Sequence, residues 1–117
     1  HHTTRLCCEL LEHLPVEGAR VLDMGTGSGI LSIAALMLGA EEAVGVDIDR
    51  VAVRTAAENA AENGFGTDRF TAVAADLVHQ PLGEELTRGG FDIVLAGLTV
   101  AGDREQEGWC ALLMQKD

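Results

Sequence analysis

Residues 21–29 read Val21-Leu22-Asp23-Met24-Gly25-Thr26-Gly27-Ser28-Gly29. An apolar stretch ends in three alternating glycines, and a helix-like apolar run from Ile30 to Leu38 follows at once. This pattern predicts a buried strand that turns tightly into a helix. Alternating glycines tolerate positive φ and leave no Cβ between backbone and ligand, while the first turn of the next helix offers unpaired N–H groups. A ligand can lie directly on such a turn.

The spacing restricts which ligand. A dinucleotide fingerprint requires G-x-G-x-x-G, whereas Gly25, Gly27 and Gly29 are spaced G-x-G-x-G with Asp23 two residues ahead. No Lys-Ser or Lys-Thr follows the loop as a phosphate-binding loop demands, and no glycine stands two residues before Ser28 as a serine nucleophile elbow demands. The pattern Asp-x-Gly-x-Gly-x-Gly after an apolar strand resembles the first motif of the class I S-adenosylmethionine-dependent methyltransferases. That cofactor carries no phosphate, so an acid beside the loop is tolerable and can attract the ammonium end directly or through water.

The rest of the chain predicts an α/β fold, a Rossmann-like parallel sheet with flanking helices and a C-terminal antiparallel hairpin. Leu6, Leu10, Leu11 and Leu14 fall at helical spacing within residues 4–14, with Thr3 or Thr4 as cap and Pro15 and Gly18 as stop. A second strand over Glu42 to Val46 ends at Asp47. Asp49 then caps a helix from Arg50 to Asn63 that Gly64 terminates. Its alanines at 52, 56, 57, 60 and 61 allow close approach to the sheet, and Glu58 and Glu62 face solvent. Strands at Phe70 to Ala74 and Phe91 to Leu95 complete the alternation, which gives right-handed parallel connections. Ligands of such sheets sit at the carboxyl ends of the strands, where Gly25, Asp47 and Asp76 all fall. An acid at the end of the second strand is placed to accept from both ribose hydroxyls of an adenosine, which makes Asp47 the candidate for that role. His79, in the following loop, reads as a surface residue.

The segment His-x-Thr-Thr-Arg-Leu-Cys at the start resembles the stretch before the first motif in one methyltransferase family. Its members are the ribosomal protein lysine methyltransferases that modify a stalk-base protein of the large subunit. The resemblance implies S-adenosylmethionine as cofactor, with Thr4, Asp23, Gly25, Thr26, Gly27, Asp47, Ile48, Asp76 and Leu77 around it. Asp76 would take the adenine amino group, and Thr4 and the glycines the methionine part. No residue has the spacing or partner that would mark it as a catalytic base, and no metal is expected. The resemblance implies a ribosomal protein as acceptor; a small amine is the alternative, and a cofactor-binding piece without turnover the third reading.

Residues 97–104 and 109–115 read as the two strands of a closing hairpin around an acidic turn at Glu105 to Gly108. The family places a helix, a strand and another helix between the fourth strand and that hairpin, whereas here Ala96 runs straight into Gly97. The hairpin must therefore either follow an omitted segment or pair directly beside the fourth strand. Gly97 also stands where the family has the asparagine of an Asn-Ile-Leu motif that lines the transfer site.

Composition sets the outer limits. A chain of 117 residues fits one domain, divided here into a helix (1–18), a cofactor-binding core (19–96) and the hairpin (97–117). Lys plus Arg number 8 against 19 Asp plus Glu, a formal charge of −11, which disfavours a nucleic-acid backbone as partner and favours a basic protein or an amine. Three cysteines without a Cys-x-x-Cys pair suggest neither a disulfide framework nor a zinc site. No apolar stretch approaches the ~20 residues of a membrane span and no signal peptide opens the chain, so a cytoplasmic protein is expected.

Overall fold

The computed structural model describes residues 9, 11–76, 79, 83, 87–99 and 108–114. Five strands form one sheet: β1 (Arg20–Met24), β2 (Glu42–Asp47), β3 (Phe70–Ala74), β4 (Ile93–Thr99) and β5 (Gly108–Met114). Their spatial order is β3-β2-β1-β4-β5, the first four parallel and β5 antiparallel to β4. Two helices, α1 (Ile30–Met37) and α2 (Arg50–Glu62), make the crossovers from β1 to β2 and from β2 to β3. Of the amino-terminal helix, residues 9, 11 and 12 are described and helical, and the part before them, with Thr4, lies outside the described residues.

Alternation along each strand sorts side chains to two apolar faces, as expected of a parallel sheet covered on both sides. Val21, Ala43, Phe70, Ile93 and Leu95 join Ile33, Ala35 and Leu36 of α1 and Ala56 and Ala60 of α2 in one core. Val44, Val46, Phe91 and Val94 form the other, with Leu22, Met24 and Val73 against it. Of the α2 alanines, 56 and 60 are fully buried and 52 half-buried, whereas 57 and 61 are exposed. Ala56 meets the glycine turn itself: a Cβ on Gly29 would come within 3.0 Å of the Ala56 Cβ, and Gly29 holds φ +86. Asp49 caps α2 by accepting from the Val51 N–H at 2.9 Å.

Two expectations are corrected at the carboxyl-terminal end. The fourth strand begins at Ile93, because Asp92 instead exchanges hydrogen bonds with the backbone of Arg20. It does not stop at Leu95: Ala96, Gly97, Leu98 and Thr99 continue it, so residues 97–99 of the strand expected over 97–104 belong to β4, and residues 100–104 lie outside the described residues. A lone glycine in an apolar run weakens a strand without ending it. β5 pairs directly with this extended β4, Ala96 opposite Ala111 and Leu98 opposite Trp109. The expected turn residues 105–107 lie outside the described residues.

Candidate functional site

The carboxyl ends of β1, β2 and β3 converge because the loop after β1 hangs on β2. Gly25 and Thr26 both donate their N–H to the Val46 carbonyl, at 2.8 and 2.9 Å, and Gly27 donates to the Asp47 Oδ2 at 2.9 Å. Gly25, Gly27 and Gly29 have φ of +75, +54 and +86, the left-handed region in which a side chain would be strained. A Cβ on Gly27 would meet nothing within 4 Å, so the space above this residue is open. Asn59 of α2 steadies the turn from behind, donating to the Ser28 carbonyl at 2.9 Å.

Asp47 receives a second N–H, from Asp49, on Oδ1 at 3.0 Å. Each carboxylate oxygen keeps a further lone pair. Its neighbour Ile48 is 72% exposed, and Val51 on the first turn of α2 is 64% exposed, which leaves apolar surface beside the acid. The Ala75 N–H bonds the Asp47 carbonyl at 3.0 Å, which ties the end of β3 to that of β2 and sets Asp76 one residue beyond. The Asp76 Oδ2 lies 2.7 Å from His79 Nδ1. His79, expected as an isolated surface residue, is exposed but paired with a candidate site acid.

Asp23 departs most from a simple surface acid. It is 2% exposed, and its Oδ2 accepts from the hydroxyls of Thr26 at 2.9 Å and Ser32 at 2.7 Å. Burial pushes its carboxyl pKa up; the Ser32 and Thr26 hydroxyls and the Ser32 N–H oppose this, and the Asp47 charge adds to the rise. Asp23, Gly25, Thr26, Gly27, Asp47, Ile48 and Asp76 thus belong to one end of three adjacent strands, whereas Thr4 and Leu77 lie outside the described residues. The sequence alone does not single out Ser32 or Asn59, and it gives His79 only as a surface residue. Ser32 could have been noticed as a serine inside an otherwise apolar helix.

No group of three metal-ligating side chains occurs among the described residues, and no helix among them is long and apolar enough to cross a membrane.

The family model described as Ribosomal protein L11 methyltransferase (PrmA) matches residues 1–101. The ribosomal protein L11 methyltransferase of Ectopseudomonas mendocina is 52% identical over 82 residues, covering 69% of this chain and 28% of the relative. That of Symbiobacterium thermophilum is 38% identical over 151 aligned positions, covering 99% of this chain and 50% of the relative. Because 151 positions exceed the 117 residues available, that relative carries residues without counterpart here. The crystal structure of ribosomal protein L11 methylase from Lactobacillus delbrueckii subsp. bulgaricus superposes with a TM-score of 0.63 at 30% identity, over 83% of this chain and 60% of that one. The chain therefore spans half or less of the length of these two curated relatives.

Proposed function

Because the chain belongs to the ribosomal protein L11 methyltransferase family, we propose that it binds S-adenosylmethionine at the carboxyl ends of β1, β2 and β3. It serves the N-methylation of amino groups on a ribosomal protein. The observation that carries this reading is the convergence of the Gly25-Thr26-Gly27 turn, Asp47 and Asp76 on one edge of the sheet, with open space over Gly27. The donor set fits: acceptors for ribose and adenine, a buried acid near the loop for an ammonium, and exposed Ile48 beside Asp47.

The cofactor, when bound, supplies a methyl group on a positively charged sulfur. Gly25 and Gly27 admit its methionine part against the backbone, with Thr4 helping to hold it and Asp23 offering charge from below. Asp47 accepts from the ribose hydroxyls; Asp76 accepts from the adenine amino group, flanked by Leu77. Methyl transfer from a positively charged sulfur would call for no acid from the protein, so the contribution of these residues would be to align a deprotonated amine with the methyl carbon. The chain acts as one cofactor-binding domain in the cytoplasm, where newly made ribosomal proteins are found.

Gly97 favours a second reading, cofactor binding without turnover, because it continues β4 where the family has an asparagine lining the transfer site. Calorimetric titration with S-adenosylmethionine and S-adenosylhomocysteine, followed by methyl transfer to ribosomal protein L11 and to small amines, separates the readings. Binding with transfer to the protein supports the proposal, binding without product supports the second reading, and no binding by the folded chain removes both.

A further inference from the structure

Ser32 sits in the first turn of α1, fully buried, and its hydroxyl goes to the Asp23 Oδ2. Thr26 reaches the same oxygen from the loop, and the two hydroxyls stand 3.5 Å apart. The glycine turn is thus closed from both sides on one carboxylate oxygen: Thr26 lies between the first two glycines, Ser32 three residues after the last.

The arrangement closes the glycine turn, but it places a charge in an apolar layer. Asp23 lies on the α1 side of β1, where Val21, Ile93 and Leu95 are apolar. A buried carboxylate there costs free energy that an apolar residue would not. Ser32 is followed in the same helix by Ile33, Ala34 and Ala35, and alanine would suit a helix interior better than a serine whose hydroxyl needs a partner. The buried carboxylate and the two hydroxyls that bond it make sense together if a charge at position 23 is needed.

We infer that Ser32 is a positioning residue for the ammonium group of the cofactor: with Thr26 it holds the Asp23 carboxylate in one orientation beneath the glycine loop. This rests on the S-adenosylmethionine reading. Two hydroxyl donors on Oδ2 prevent the carboxylate from rotating and favour its ionised form, because a hydrogen bond given to a charged acceptor strengthens with its charge. Without Ser32, the same carboxylate has one hydroxyl donor, and burial works against its charge with less opposition.

The test compares two ligands that share adenosine and sulfur. S-adenosylhomocysteine carries the ammonium, and methylthioadenosine lacks the amino-acid part altogether. Calorimetric titration of the 117-residue chain and of Ser32→Ala should show about tenfold weaker binding of S-adenosylhomocysteine, with methylthioadenosine changed by less than about twofold. Ser32→Cys, nearly isosteric and a weaker donor, should fall between and serves if the alanine variant does not fold. Equal losses for both ligands, or none for either, would overturn the role of Ser32 while leaving the cofactor site standing. Failure of the unmutated folded chain to bind either ligand would overturn the cofactor reading and this inference with it.

Discussion

Gly27 and Asp47 are joined by a 2.9 Å hydrogen bond from backbone N–H to carboxylate, although 20 residues separate them in the chain. The bond makes Asp47 a part of the glycine loop as well as a candidate ribose ligand. Asp47→Ala removes the acceptor for Gly27 and for Asp49 together. S-adenosylhomocysteine and methylthioadenosine both carry the ribose, so calorimetry should show both weakened by at least about tenfold. A loss confined to S-adenosylhomocysteine would place Asp47 at the amino-acid end instead.

Gly45 of β2 faces the same loop from below. A Cβ there would stand 2.7 Å from Thr26 Oγ1 and 2.9 Å from Phe70 Cζ. One methyl group would therefore displace either the hydroxyl that holds Asp23 or a ring of the core. Gly45→Ala should destabilise the fold by about 1–3 kcal/mol, as overpacking does. Thermal unfolding should show a Tm lower by roughly 5–15 °C. An unchanged Tm would mean that the ring and loop shift freely.

Most of the parallel core was legible in the sequence because each strand is an apolar run bounded by its own turn residues. The glycines end β1, Asp47 and Asp49 separate β2 from α2, and Gly64 stops that helix with φ +89. β4 was legible as a strand but not in its extent, since Ala96 and Gly97 fall where the family pattern ends one element and opens another, while the continuation to Thr99 depends on pairing with β5 across the sheet. The burial of Asp23 was hidden for a similar reason. Thr26 and Ser32 lie three and nine residues further on, and only the curl of the loop brings both hydroxyls to one oxygen. The pairing of His79 with Asp76 likewise depends on a local turn, closed by the His79 N–H on the Asp76 carbonyl at 3.0 Å.

Arg20 works at the opposite, amino end of the strands. Its guanidinium pairs with Glu42, donates to the carbonyls of Arg88 and Gly90, and lies 4.7 Å from the centre of the Phe91 ring. Arg20→Met keeps the aliphatic stem and loses the donors. It should cost about 1–2 kcal/mol, read as a lower Tm, with the affinity for S-adenosylhomocysteine unchanged within about twofold. A tenfold loss of affinity would show that the two ends of the sheet are coupled.

Asp23 should trade stability against binding. Burial raises its pKa above the ordinary 3.8, so the folded chain holds the Asp23 proton more tightly than the unfolded chain does. Its contribution to stability therefore falls as the pH rises from the unfolded value through the folded one, and at neutral pH the charged group opposes folding. Asp23→Asn removes this titration, and the amide oxygen can still accept from Thr26 and Ser32. The variant should be at least as stable as the unmutated chain near pH 7, and its advantage in Tm should shrink toward about pH 4. In the same variant, S-adenosylhomocysteine should bind at least about tenfold more weakly, while methylthioadenosine is little affected. A variant less stable than the unmutated chain near pH 7 would show that the charged carboxylate holds the turn together, and parallel Tm curves would show that Asp23 does not titrate in this range.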